Sequence, residues 1–278
     1  MSAAAEPRAC DGPAPDAARR RPRIGLALAG GVMRGRAHLG VLQVLEEAGI
    51  RADLVSGVSA GAVVAALYAS GMSVERMLAL SRHYRWRKIV RPILLNPFRS
   101  GLDRLGLFDF YNLEMELIRA IGDVTFDELP IPLVVGATDL LTGEAVNITS
   151  GRVAAAVRAS ASVPGFVAPV RYGGRLLCDG FASNNLRLRV LHEMGADVVI
   201  GVNIMPLLHR RPRNAYWAGS VALSNLISRS LDPCDEADVL IEPDVAEMDF
   251  LIPDHIELVQ RGRAAAEAAL PRLRALLG

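Results

Sequence analysis

Within its first 70 residues the chain twice places a short apolar run before a glycine-rich turn and a helix-like segment. The first run, residues 24–29, is followed by Gly30-Gly31, and the second, residues 53–56, is followed by residues 57–61 and a small-residue segment ending at Gly71. Short apolar runs of this kind are typical of buried strands. Because parallel neighbours need a crossover that is usually a helix, this β-α-β-α order predicts an α/β fold with a mostly parallel sheet covered by helices.

The remaining pattern extends the same fold to the end of the chain. We predict further strands over residues 133–137, 144–148, 196–204 and 237–243, and a hairpin of residues 167–170 with residues 175–178. Helices are predicted over residues 73–83, 111–121, 153–161, 188–194, 216–231 and 256–277. With 278 residues, of which 51% are hydrophobic, the chain can bury one large core. We therefore predict a single domain over residues 23–278.

The N-terminal segment and the bulk composition exclude several classes of protein. Residues 1–22 are rich in Ala, Pro and charge and lack an apolar stretch, so we predict a disordered tail rather than a secretory signal. A net charge of +1 gives no reason to expect nucleic acid as a partner. The three cysteines lack metal-ligand spacing and favour a reducing, cytoplasmic setting, and no run is long enough for a membrane span. We predict neither a metal nor a cofactor, because Gly30-Gly31 does not complete a dinucleotide fingerprint.

The segment Gly57-Val58-Ser59-Ala60-Gly61 matches the G-x-S-x-G pattern of a nucleophile elbow. In such an elbow the serine has strained backbone geometry, and the flanking glycines let neighbouring segments approach closely. The helix that follows points free N–H groups toward the serine and favours negative charge there. The alternative is an ordinary glycine-edged helix start with a capping serine.

Residues 84–106 interleave arginines with large apolar side chains. Such a segment fits a cap that contacts a lipid surface, which would place the protein at the membrane periphery. It fits equally well a surface excursion whose arginines extend their charged ends to water.

Four motifs occur together in one order: Gly30-Gly31 after the first strand, G-V-S-A-G after the second, S-A-S-V-P-G over residues 160–165, and Asp179-Gly180 after the hairpin. This set resembles the patatin-like phospholipase family, and the stretches over residues 34–42, 137–143 and 184–186 strengthen the match. The resemblance spans about residues 23–243. It implies a three-layer α/β/α fold and a lipid acyl-ester hydrolase.

The resemblance also implies a role for each matching residue. Ser59 corresponds to the nucleophile and Asp179 to the base that takes its proton, since a serine hydroxyl attacks only when a positioned group accepts that proton. Gly30, Gly31 and Val32 correspond to the oxyanion hole, whose N–H groups stabilise charge in the transition state. The supporting residues implied in the same way are Arg34, Gly35, Gly57, Gly61 and Gly180.

Three positions depart from the family pattern. Val32 stands where the family usually has a third glycine, Phe181 where it has a small residue, and Arg187 where proline is common. A valine retains its N–H but resists positive φ, and both Val32 and Phe181 add bulk near the serine. These departures keep a second function open, that of a catalytically weak protein that binds lipids or regulates a partner.

Other polar residues allow further interpretations. An α/β-hydrolase triad would need a histidine after the acid, and His192, His209 or His255 could supply it, although that fold places its serine after more strands. His38 and His83 lie on predicted helices and fit packing or surface roles. We expect Asp139 to cap a turn, and Ser160 and Ser162 to shape the loop before Pro164.

Overall fold

The structure, a computed structural model, describes residues 21–83, 86–93, 101–205, 211–212, 214–229, 236–249 and 253–278. The strands in this part are β1 (Ile24–Leu28), β2 (Leu54–Val58), β3 (Arg91–Pro92), β4 (Phe108–Asp109), β5 (Leu133–Asp139), β6 (Ala145–Ile148), β7 (Val170–Tyr172), β8 (Arg175–Asp179), β9 (Val198–Val202) and β10 (Val239–Ile241). The helices are α1 (Ala37–Glu47), α2 (Ala60–Ala69), α3 (Val74–Ser81), α4 (Trp86–Ile89), α5 (Tyr111–Ile121), α6 (Val153–Ser160), α7 (Arg189–Glu193), α8 (Ala215–Arg229) and α9 (His255–Leu277).

A central sheet carries the fold. Strands β10, β9, β1, β2 and β5 lie side by side in that order, and every neighbouring pair among them is parallel. All residues of β1, β2, β5 and β9 are buried, as expected for strands covered on both faces. The predicted α/β fold with a mostly parallel sheet is confirmed. The antiparallel part is the hairpin of β7 and β8 together with β6.

The pairing register of β5 determines which strands lie along each of its two edges. Positions 135–138 of β5 pair with β6 along one edge. Positions 135 and 136 also pair with Gly57 and Val58 of β2, and position 137 also pairs with Asp179 of β8. Since a strand has only two edges, β2 and β8 share the second one, running in opposite directions and meeting end to end. The last residues of β2 and β8 therefore lie beside successive residues of one strand.

Helices cover both faces of the sheet. On one face, α7 and the segment before it pack tightly against Gly25 and Gly201: a Cβ on Gly25 would lie 3.0 Å from the Leu191 Cβ, and one on Gly201 would lie 3.1 Å from the Leu188 side chain. On the opposite face α2 returns over β2, with α1, α6 and α9 packed beside it. Helices α1 and α9 cross closely, because Gly40 lies against the main chain of α9 and Gly262 against that of α1. The main hydrophobic core spans these layers.

Two sequence predictions fall wholly or partly outside the described residues. Residues 1–20 of the predicted tail lie outside them, whereas Arg21 is described and its guanidinium binds the Asp53 carboxylate. Residues 84–85 and 94–100 of the segment 84–106 also lie outside them, but its Arg91 forms an ion pair with Asp109 and so belongs to the fold. Among the described residues, no helix combines the length and the apolar character needed to cross a bilayer.

Candidate active site

Ser59 occupies the sharp turn between β2 and α2. Its φ of 53° and ψ of −119° lie outside the ordinary regions for a residue with a side chain, which is the strained geometry of a nucleophile elbow. Ser59 holds the N-cap position of α2, yet its side chain makes no capping hydrogen bond. The capping-serine alternative is therefore not supported, and the hydroxyl, on a residue only 8% exposed, is left to interact elsewhere.

The glycines around Ser59 permit close approach of main chain. A side chain on Gly61 would collide with the carbonyl oxygens of Leu28 and Ala29, at the end of β1. A Cβ on Gly57 would lie 2.6 Å from the Gly61 oxygen, and one on Gly35 would lie 2.8 Å from the Cβ of Ala60. The start of α2 is thus packed directly against β1 and the loop that follows it, a spacing that only glycines allow.

Asp179 ends β8 at the point where β8 meets the end of β2, so the register of β5 brings it beside Ser59. Its side chain is fully buried, and burial raises the pKa of the carboxyl to about 7. The Ser59 side chain, as a hydrogen-bonding partner, and the Phe181 N–H, which donates to Oδ1 at 3.1 Å, both act to lower that pKa. No regular hydrogen bond reaches Oδ2 from the described residues.

Gly180 occupies the next position and has no room for a side chain. A Cβ there would collide with the carbonyl oxygen of Gly136 and would lie 2.9 Å from the Val58 side chain. The Asp-Gly pair therefore closes the junction between β2, β5 and β8. The hydroxyl of Thr138 strengthens the same junction by donating to the Asp179 carbonyl at 2.9 Å.

The loop after β1 lies against Ser59, and two buried side chains hold it. Asn185 accepts from the Gly30 N–H at 3.1 Å and donates to the Gly30 carbonyl at 3.2 Å. The His38 Nε2 donates to the Ala29 carbonyl at 2.8 Å, and burial lowers the pKa of this histidine to about 4, so it is neutral near pH 7. The N–H groups of Gly31 and Val32 make no hydrogen bond within the part of the chain that is described.

Val32 and Phe181, two of the residues that depart from the family pattern, pack against the same neighbour. Both contact the fully buried Met205, which follows β9, and together they form a small apolar cluster. Val32 has a φ of 53°, so the valine adopts the positive φ that its side chain resists. The cluster brings bulk from the loop after β1 and from the turn after β8 to the same side of the site.

Arg34 is fully buried and acts as an anchor. Its Nη2 donates to the carbonyl of Met248 at 2.6 Å, which ties the segment after β1 to the chain that follows β10. The third departure, Arg187, is also buried, and its Nη2 donates to the Ala137 carbonyl of β5 at 2.8 Å. Both arginines bind main-chain oxygens of neighbouring segments.

Two contacts to Ser59 and Gly30 could not be foreseen from their residues. The Ser59 N–H donates to Ser160 Oγ at 2.8 Å, and Asn185 holds the Gly30 peptide as described above. Asn185 stood in a stretch that strengthened the family resemblance, which was its only signal in the sequence. Ser160 was expected only to shape a loop.

The other candidate residues have structural contacts. The Asp139 Oδ1 accepts from the Leu141 N–H at 3.0 Å, which confirms the predicted turn cap. His83 and His192 bind main-chain carbonyls at exposed positions, and His209 lies outside the described residues. Among the described histidines, none contributes to the shifted pKa of Asp179, so the described part of the chain gives no support to a Ser-Asp-His triad. Across the described ranges, no group of three His, Cys, Asp or Glu side chains could hold a metal ion.

Comparison with known proteins shows which families and relatives this chain resembles. A family model described as patatin-like phospholipase matches residues 26–192. An uncharacterized NTE family protein of Mycobacterium tuberculosis is 37% identical over 196 residues, which cover 69% of this chain and 53% of that protein. The neuropathy target esterase of Drosophila melanogaster is 33% identical over 183 residues, which cover 65% of this chain and 13% of that protein.

Among solved structures, VipD from Legionella pneumophila superposes with a TM-score of 0.58 at 15% sequence identity, covering 91% of this chain and 67% of VipD. At that identity the likeness concerns the fold. The chain spans about half the length of the mycobacterial relatives it matches.

Proposed function

The chain belongs to the patatin-like phospholipase family, and from that premise we propose that it hydrolyses acyl esters of lipids with Ser59 and Asp179 as a catalytic dyad. The observation that carries the proposal is the meeting of β2 and β8 on one edge of β5, which sets a strained serine beside a buried carboxyl. No metal or cofactor is needed for the reaction.

The proposed reaction has two halves. The Ser59 Oγ attacks the ester carbonyl carbon while its proton passes to the Asp179 carboxylate, and the carbonyl oxygen becomes an oxyanion. When the tetrahedral intermediate collapses, the bond to the leaving alcohol breaks, and that alcohol takes the proton from Asp179. Water then attacks the acyl-enzyme, giving its proton to Asp179, and the fatty acid leaves as Ser59 regains a proton.

The oxyanion would be stabilised by main-chain N–H groups of the loop after β1. We assign this role to Gly31 and Val32, because the Gly30 N–H is already bound by Asn185. Each donor of this kind contributes roughly 2.7–4 kcal/mol to transition-state stabilisation. In this assignment Gly30 belongs to the hole as its anchored end, and its missing side chain lets the loop approach Ser59.

A carboxylate is a weak base, and the surroundings of Asp179 compensate for this weakness. Burial raises the pKa of Asp179 to about 7. A general base is most efficient when its pKa lies near the pH at which the enzyme works. Oδ2, which no regular hydrogen bond reaches from the described residues, is the acceptor that we assign to the Ser59 proton. In free enzymes catalytic hydrogen bonds are often poorly aligned and tighten only when substrate binds.

The strained valine favours one alternative, a catalytically weak member of the family that binds lipids. Val32 at a φ of 53° stores backbone strain in the proposed oxyanion loop, and Phe181 adds bulk beside Asp179. A distorted loop would bind an acyl group without stabilising its oxyanion. Reactivity of Ser59 distinguishes the two functions.

Labelling with a fluorophosphonate tests the proposal. We expect about one label per chain, because an activated serine attacks the phosphorus centre, and peptide mass spectrometry should place it on Ser59. Ser59→Ala should take up no label and should not hydrolyse p-nitrophenyl butyrate. A chain that stays unlabelled at Ser59, or a Ser59→Ala variant that remains active, would favour the lipid-binding alternative.

We also propose that the protein contacts a lipid surface through the region that includes residues 84–106. Leu105, Leu107 and Phe166 expose large apolar side chains there, and the Leu107 N–H donates to the Phe166 carbonyl at 2.9 Å, which joins the two segments. Phe166 lies four residues beyond Ser162, whose carbonyl accepts the Asp179 N–H. The exposed patch therefore lies on the chain that leads to the site.

Phe166→Ser tests this contact. The variant loses the ring area that would be buried in the lipid, so binding to phosphatidylcholine–phosphatidylglycerol vesicles should weaken roughly tenfold and hydrolysis of vesicle lipid should slow. Turnover of p-nitrophenyl butyrate should be unchanged. Leu276→Ser removes an exposed apolar side chain from α9 and is the matched control. Equal vesicle binding by the two variants would argue against the contact.

A further inference from the structure

The C-terminal end of α6 contacts both halves of the proposed dyad. Ser160, the last residue of α6, accepts the Ser59 N–H on its Oγ at 2.8 Å. Two residues later, the Ser162 carbonyl accepts the Asp179 N–H at 2.9 Å. One short segment therefore binds the main chain of both residues, although about 120 positions separate them in the sequence.

The Ser160 hydroxyl is an acceptor and a donor at the same time. While its oxygen accepts from Ser59, its proton is donated to the Gly136 carbonyl of β5 at 2.6 Å, and the side chain is fully buried. Gly136 is the residue of β5 that pairs with Val58, next to the position that pairs with Asp179. The hydroxyl thus connects the elbow to the strand that aligns β2 with β8.

Ser59 needs such a contact because its backbone is strained. A residue at φ 53° and ψ −119° stays there only when its surroundings determine its position. The Ser160 oxygen fixes the direction of the Ser59 N–H, and with it the orientation of the Cα–Cβ bond that carries the nucleophilic oxygen. Since the Ser59 N–H is bound in this way, it is not a donor to the oxyanion.

We propose that Ser160 is a positioning residue for catalysis, which holds Ser59 in the orientation from which its hydroxyl reaches both Asp179 and the ester. This inference rests on the proposed function. Misplacement of a reacting group by about 1 Å can reduce a rate on the order of 100-fold, so a lost anchor should act on turnover more than on substrate binding.

Ser160→Ala removes the hydroxyl without adding bulk. We expect kcat for p-nitrophenyl butyrate and the rate constant of fluorophosphonate labelling to fall on the order of 10- to 100-fold, with KM changed less than about threefold. Ser56→Ala is the control: Ser56 is also fully buried, and its hydroxyl donates to the Arg187 carbonyl at 2.8 Å. Ser56→Ala should lose a similar free energy of unfolding in urea to Ser160→Ala but keep the wild-type labelling rate.

Two results would overturn the inference. One is a folded Ser160→Ala protein with wild-type labelling, and the other is a Ser56→Ala protein whose labelling falls as far. Should Ser160→Ala not fold, Ser160→Cys keeps a slightly larger side chain with only a weak acceptor, and wild-type labelling of that variant would count against the proposal equally. If Ser59→Ala stays active, the nucleophile assignment fails instead, whatever Ser160 does.

Discussion

Asp179→Asn is expected to lower kcat for ester hydrolysis on the order of 10³-fold or more while leaving the fold intact. The amide keeps the size of the side chain and an oxygen that accepts from the Phe181 N–H, but it cannot take the proton of Ser59. The measurement is steady-state kinetics on p-nitrophenyl butyrate together with the rate of fluorophosphonate labelling.

The matched control is Asp139→Asn, which changes another buried carboxylate on the neighbouring strand. Asp139 caps a turn through the Leu141 N–H, so its amide should keep activity within a few-fold of wild type, roughly the scatter of structural changes near a site. Equal loss of activity in both variants would show that the effect comes from removing a buried carboxylate and not from removing a catalytic base.

Asp179→Asn, which should lower activity, is expected to raise stability at high pH. Because burial raises the pKa of Asp179 from 3.8 to about 7, the folded state binds its proton more tightly than the unfolded state does. This contribution to the free energy of unfolding is fully present below pH 4 and is lost as the pH rises through 7. Asparagine does not titrate, so the variant should gain about 2–4 kcal/mol relative to wild type between pH 5 and pH 8.

Catalysis should show the reverse dependence on pH, since the base works only when ionised. We expect kcat/KM for a neutral ester to rise with pH and to level off above about pH 7, the region of the raised pKa. Urea unfolding at pH 5 and pH 8 and a pH–rate profile check the two halves of the prediction. A profile already flat at pH 5, with equal stability changes in both proteins, would contradict the raised pKa.

Gly61→Ala is expected to destabilise the protein by more than about 3 kcal/mol and to abolish activity. The new methyl group would collide with the carbonyl oxygens of Leu28 and Ala29, which belong to rigid main chain and cannot rotate away. Relief would require α2 to move off β1, which would shift Ser59 relative to the loop that carries Gly31. Chemical unfolding and ester hydrolysis measure the two effects.

Gly219→Ala provides the control for this change. Gly219 lies on α8, and nothing among the described residues lies within 4 Å of a Cβ added there, so alanine should stabilise the helix by about 0.5–1 kcal/mol. A Gly61→Ala protein as stable and as active as wild type would show that α2 and β1 are not in the close contact described here.

Local sequence patterns predicted the parts of the site that depend on local backbone chemistry. The glycines around Ser59 predicted the elbow, because strained turns and close approach need residues without side chains. The strands β1, β2, β5 and β9 were predicted from apolar runs, which reflect burial on both faces. Asp179 became a candidate base only through the family resemblance, because an Asp-Gly pair alone does not predict a catalytic role.

The remaining parts of the site depend on pairing between distant segments. That β8 meets β2 on one edge of β5 is a matter of register, and a slip of one residue would place every side chain on the other face. Ser160 and Asn185 are single polar residues whose partners lie 101 and 155 positions away. Val32 adopts the positive φ that its residue type resists, because the fixed neighbours of its loop outweigh local preference.

The end-to-end meeting of two strands along β5 also bears on how this family can diversify. The separation between the Ser59 hydroxyl and the Asp179 carboxyl is set by two successive residues of β5, Gly136 and Ala137, and not by the length of chain between Ser59 and Asp179. We expect insertions at surface turns between α2 and β7 to change what reaches the reaction centre while its spacing stays constant. If the proposed function holds, new substrate specificities can therefore arise in this fold while the Ser59–Asp179 dyad stays unchanged.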